Sequence, residues 1–160
     1  AFGNTCRITP ERIDCDGAPY SSIQGILISL YALNACSDQC LATPFKAFKE
    51  FPDSMPYVGA FASHTEQVLV PYTDRIKSET ETITQALDGD TPPAEIAGDF
   101  ALMVYPLPKI CLCYVFYEAD EDFSASVTCL YSNNANRFLP MDALADVGEY
   151  TSRKIISLIT

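Results

Sequence analysis

Basic residues are scarce in this 160-residue sequence, with ten lysines and arginines against 21 aspartates and glutamates and a formal net charge of −11. A field of that sign repels phosphate backbones and anionic lipid headgroups, which argues against a nucleic-acid partner. Histidine is nearly absent. His64 is the single imidazole, so any Cys-His or Ser-His mechanism has to run through it. GxSxG, HExxH, GxGxxG and Walker-type loops are all missing, which sets aside the enzyme classes built on them. No two of the seven cysteines stand in CxxC spacing. The usual clip for zinc or a redox disulfide is therefore not there, and the odd count announces no closed disulfide framework. The one apolar run of near-membrane length, FALMVYPLPKICLCYVFY at 100–117, carries Pro106, Pro108 and Lys109 at its centre, and reads as two strands joined by a turn rather than an inserted span. The chain opens on Ala1-Phe2 with neither a methionine nor a signal-like segment, so the expected N-terminus is trimmed or lies upstream.

A hydrophobic fraction of 48% is that of a folded chain, and the length suits one domain over 1–160. With no disulfide framework announced, a reducing cytoplasm is the simplest setting, where buried thiols act as small hydrophobes. TCRITPERIDC at 5–15 predicts a hairpin closing on Thr9-Pro10-Glu11-Arg12, with Cys6 opposite Cys15 and Ile8 opposite Ile13. Ser21 or Ser22 then caps a helix whose Ile23, Ile26, Leu27, Leu30 and Tyr31 are expected to form one buried stripe ending near Asn34. Phe45, Phe48 and Phe51, interleaved with prolines, suggest a short helix or irregular arm across the core. Tyr57, Phe61, His64, Val68 and Tyr72 trace one helical face, and a second helix over 74–87 stops at Asp88-Gly89. Strands are expected over 99–105, 110–117 and 126–131, the middle one apolar on both faces and so central in an antiparallel sheet. A last helix from Met141 follows Pro140 and turns Leu144, Val147, Thr151, Ile155 and Leu158 inward. The fold class is α+β: an N-terminal hairpin and helices packed on an antiparallel sheet of about three to five strands, closed by a C-terminal helix.

Three groups of side chains are candidates for chemistry. Glu118, Asp120, Glu121 and Asp122 form an acid cluster, but a calcium loop needs a glycine for its sharp turn, and none occurs here. The cluster reads as the wet end of a hairpin. Cys111 and Cys113 share a strand face, and a hairpin pairing Tyr117 with Ala125 brings Cys129 opposite Cys113. That set, with Cys36 and Cys40 as further candidates, holds iron–sulfur or zinc, or else consists of buried core thiols. His64 is either a satisfied side chain on an apolar helix face or a catalytic base, with an acid such as Glu66 or Asp142 as its partner.

GDFALMVYPLPKICLCYVFYEADEDF at 98–123, RFLPMDALADVGEY at 137–150, SSIQGILISLYALNA at 21–35 and PFKAFKEFP at 44–52 together resemble the domain-of-unknown-function family DUF3786 of anaerobic bacteria and archaea. Ala119 and Lys109 replace that family's common glycine and second turn proline, and Met141-Asp142 replace its Thr-Glu-Asp. The resemblance implies a further helical segment before the first hairpin. It also implies an accessory role beside iron–sulfur and corrinoid proteins of one-carbon metabolism. The expected function is a non-catalytic domain that binds a protein partner, or a tetrapyrrole-like cofactor that a partner presents, with Phe45, Phe48 and Phe51 as its interface. A cysteine-based metal or redox protein and a small enzyme using His64 are the alternatives. No bound cofactor is the first expectation, with iron–sulfur, zinc or corrinoid the others.

Overall fold

The computed structural model describes residues 1–19 and 22–160. Strands β1 (Cys6–Ile8), β2 (Ile13–Cys15) and β3 (Ala18–Pro19) form a small antiparallel sheet, with the expected register of Cys6 opposite Cys15 and Ile8 opposite Ile13. Helix α1 (Ile23–Asn34) follows. Ser22 holds its cap position in extended backbone but makes no side-chain capping bond, while Ser21 lies outside the described residues.

The main sheet is antiparallel with order β4-β7-β6-β5, built from β4 (Lys46–Ala47), β5 (Phe100–Leu107), β6 (Ile110–Tyr117) and β7 (Ser126–Tyr131). As β6 lies between two partners and is apolar on both faces, its residues 110–116 are all buried. The short β4 was not expected. It comes from the phenylalanine arm, which pairs Lys46 with Tyr131 and Ala47 with Leu130 before entering a single 3₁₀ turn, Phe48–Glu50. Phe48 and Phe51 are buried and Phe45 half-buried.

From Met55 to Ala86 the chain is helical almost throughout, but its pitch changes. A 3₁₀ turn (Met55–Tyr57) leads into α2 (Val58–Phe61), a π turn (Ala62–Glu66), a 3₁₀ stretch (Gln67–Tyr72), α3 (Thr73–Ser78) and α4 (Thr80–Ala86). The wide turn shifts the buried positions to Phe61, Thr65, Leu69 and Thr73, every fourth residue. The expected face through His64 is consequently broken, and His64 points to solvent. Asp88 ends α4 at a φ of 52°, and the Gly89 N–H donates to the Thr84 carbonyl at 2.7 Å.

Helix α5 (Met141–Ile159) crosses the sheet face that carries Tyr114 and Tyr131. It buries Leu144, Val147, Thr151 and Ile155 as expected, with Ile159 rather than Leu158 closing the stripe. The hydroxyls of Tyr131 and Ser152 are matched across this layer, while that of Thr65 has no partner among the described residues. The Tyr131 hydroxyl donates to the Leu144 carbonyl at 2.6 Å, and Ser152 Oγ bonds the Thr65 carbonyl at 2.7 Å. Such groups are costly when left unpaired, so they fix the seat of α5 on the sheet.

Candidate functional site

Helix α1 reads IQGILISLYALN and carries no charged residue. Its Ile23, Ile26, Leu30 and Leu33 recur at intervals of three, four and three, the a/d seam of a helix that packs along a second helix. The expectation placed Ile23 and Ile26 in the core. The structure buries Leu27 as expected and half-buries Leu30 and Tyr31, but puts Gly25 and Ile28 in the core in place of Ile23 and Ile26, because α1 meets α5 with its adjacent face. Ile23 is left 58% exposed, Ile26 60% and Leu33 82%. Beside them Ile8, 44% exposed, stands on the β1–β2 hairpin, and hairpin and helix enclose a groove of about 440 Å³ whose lining sets the apolar Ile8, Ile13, Ile26 and Leu30 beside the charged Glu11 and Arg12. Scattered exposed apolar side chains are ordinary, whereas a contiguous patch marks a contact surface. The expected stripe shares Ile23, Ile26 and Leu30 with this seam but runs through Leu27 and Tyr31 rather than Leu33.

The thiol cluster does not form. Tyr117 pairs with Ser126 rather than Ala125, which sets Tyr114 opposite Cys129 and Cys113 opposite Leu130. A shift of one residue flips a strand's faces, and the register that wins places Val127, Cys129 and Tyr131 in the core. Cys111 and Cys113 therefore lie on the opposite face of the sheet from Cys129. Cys36 and Cys40 are half-buried in the segment after α1, where the Cys36 carbonyl accepts a bond from Lys109. Burial pushes Cys111 up to about 12 and Cys113 to about 11, and also raises Cys129, where the Glu66 charge adds to it. Burial thus favours the neutral thiol at all three positions. Among the described residues no group of three or more His, Cys, Asp or Glu is arranged to hold a metal ion.

The acid cluster closes the β6–β7 hairpin. Asp120 Oδ1 accepts the N–H groups of Asp122 and Phe123 at 2.9 and 2.7 Å, and Glu118 pairs with Lys77 at 2.9 Å, while Glu121 and Asp122 face solvent. This is turn chemistry of the kind aspartate supplies. His64 Nδ1 lies 3.2 Å from Glu149, which also pairs with Arg153. Glu66, two residues on in the same π turn, contacts a different neighbour, accepting the Cys129 N–H at 2.9 Å. His64 and Glu66 thus have separate partners, and Asp142 sits exposed in the first turn of α5.

Glu66 was singled out in the sequence only as a partner for His64. It lines a cleft of about 210 Å³ with Phe48, Lys49, Val58, Phe61 and Thr128. Burial raises its carboxyl above the ordinary 4.5, and the Cys129 N–H and Lys49 oppose that rise. A raised folded-state value means that the native protein holds the proton more tightly, so ionising Glu66 costs stability as pH climbs above its ordinary range. Glu66→Gln keeps an acceptor for Cys129 and removes the charge. The variant is expected to have a higher urea midpoint than wild type at pH 7, and the gap should close at pH 4. A lower midpoint at pH 7 would show that the carboxylate is needed where it stands.

Among the comparisons with known proteins, a family model matches residues 1–154, that of a domain of unknown function, DUF3786. No curated protein and no solved structure matches the chain.

Proposed function

Starting from a chain that belongs to the DUF3786 family, we propose that this domain is a non-catalytic accessory module that binds a partner protein through the exposed seam of α1. The observation that carries this reading is the uncharged helix face of Ile23, Ile26 and Leu33 beside Ile8. Seam spacing of this kind fits an amphipathic helix laid along α1. Charge selects the kind of partner. A chain of net charge −11 repels a second copy of itself and attracts a helix with basic flanks. This surface takes over the role first expected of Phe45, Phe48 and Phe51. A cytoplasmic, anaerobic setting beside corrinoid and iron–sulfur proteins belongs to the same proposal, and rests on the family resemblance alone.

The test uses a synthetic amphipathic helix with leucine along its seam and lysine at the flanks, titrated by calorimetry. It is expected to bind, and Ile26→Asp should weaken binding at least tenfold, about 1.4 kcal/mol, without lowering the melting temperature. A peptide with glutamate flanks should bind less well. Absence of binding by both peptides refutes the reading. A wild-type dimer seen by light scattering, and lost in Ile26→Asp, would instead make a second copy the occupant.

A further inference from the structure

Among the seven cysteines one pair faces directly across a strand ladder. Cys6 of β1 is opposite Cys15 of β2. Hydrogen bonds flank the pair, from the Asp16 N–H to the Thr5 carbonyl and from the Thr9 N–H to the Arg12 carbonyl, both at 2.9 Å. Bonded pairs alternate with non-bonded ones along an antiparallel ladder, so counting inward from either bond puts Cys6 and Cys15 in a non-bonded pair, whose Cα atoms stand about 4.5 Å apart. That spacing falls within the roughly 4.4–6.8 Å that a disulfide spans. Both thiols are free, Cys6 half-buried and Cys15 buried, and the Cys6 thiol donates to the Asn4 carbonyl at 3.6 Å. Among the described residues no other cysteine is paired with a cysteine in the sheets.

We propose that Cys6 and Cys15 form a reversible dithiol–disulfide site that exchanges electrons with small disulfides such as glutathione disulfide. Access decides the order of steps. Cys6 is half-buried and Cys15 buried, so Cys6 is the entry point, and burial beside the Cys6 sulfur pushes the Cys15 thiol up to about 12. Its thiolate attacks one sulfur of glutathione disulfide, the S–S bond breaks, and one glutathione thiolate leaves and takes up a proton. Cys15 then gives up its proton and attacks Cys6 Sγ in the mixed disulfide, expelling the second glutathione. Two electrons and two protons have passed from the protein to the small disulfide. A folded hairpin already holds both sulfurs in place, so the second step needs no chain rearrangement. Intracellular disulfides of this sort are usually transient and redox-sensing rather than structural.

The experiment treats the native protein with glutathione disulfide, then measures intact mass and maps cysteine-containing peptides. The expected product is two hydrogens lighter, linked between Cys6 and Cys15, melts higher, and returns to the free dithiol with excess glutathione. Cys15→Ser should stop at one glutathionyl group on Cys6, whereas Cys6→Ser should leave Cys15 unmodified. A native product with a link elsewhere, or a stable glutathione adduct on the wild-type protein without the internal link, overturns the proposal. So does modification of Cys15 in the Cys6→Ser variant. The same treatment in denaturant should scramble links among all seven thiols, which would show that the fold directs the pairing.

Discussion

Phe48→Asp is expected to leave most of the protein unfolded at room temperature, with the near-ultraviolet dichroism and cooperative melt lost. The Phe48 side chain is only 3% exposed, stacks on Phe61 with ring centroids 4.2 Å apart, and lies 5.9 Å from the ring of Tyr131. Truncating such a residue to alanine alone costs about 3–5 kcal/mol. An aspartate also places a carboxylate among aromatic rings, a further cost of several kcal/mol. The sum approaches the whole stability of an ordinary domain, about 5–15 kcal/mol. Phe48→Leu, which keeps most of the volume, should remain folded. If Phe48→Asp melts within a few degrees of wild type, the ring is not in the core, and the arm becomes an interface candidate again.

Gly148→Ala is the second large effect, and its sign is the informative part. In an exposed helix interior, alanine is better than glycine by about 1 kcal/mol, so propensity alone dictates a more stable protein. Gly148, however, faces the sheet. A Cβ there would stand 2.7 Å from Phe61 Cε2, 2.7 Å from the Tyr131 hydroxyl and 3.0 Å from Thr65 Cγ2. Three elements would have to part to admit one methyl group. Overpacking of this kind costs about 1–3 kcal/mol, and for a chain of this length each kcal/mol lowers Tm by roughly 2–4 °C. Calorimetry should therefore record a drop of several degrees, larger for Gly148→Val. A rise would mean that α5 does not approach the sheet as closely as described.

Where local pattern sufficed, the sequence was a good guide. The β1–β2 register followed from alternation about one proline turn, β5 to β7 from apolar runs bounded by turns, and α5 from a stripe of period 3.6 behind a proline. The misreadings arose where a choice between equivalent local solutions was settled by distant contacts. The β6–β7 register differed by one residue because Tyr131 is held from outside the hairpin, by Phe48, Phe51, Phe61 and the Leu144 carbonyl. The apolar stripe of α1 was found, but α1 has two apolar sides, and only its contact with α5 decides which is buried. For β4, two residues of strand in a proline-rich arm carry no period to read. Of the three places that could do chemistry or binding, the Cys6–Cys15 pair was legible in the hairpin register, and the α1 seam was present as a pattern and misplaced. The Glu66 cleft could not be found, because its walls come from the arm, the π turn and β7.

The π turn at Ala62–Glu66 also bears on ancestry. A π turn is an α-helix that has absorbed one extra residue, and each residue of an α-helix advances the direction of its side chains by about 100°. Deleting one residue within Ala62–Glu66 would remove the wide turn and rotate the side chains before it relative to those after it. Lineages of this family that differ by a single residue in length are therefore expected to differ here. In those with the shorter helix, the position equivalent to His64 would turn toward the core and come under selection for an apolar side chain. Where the longer form persists, the same position stays wet and free to drift. A gap of one residue in this stretch would thus mark a reorientation of a helix face rather than the loss of a loop.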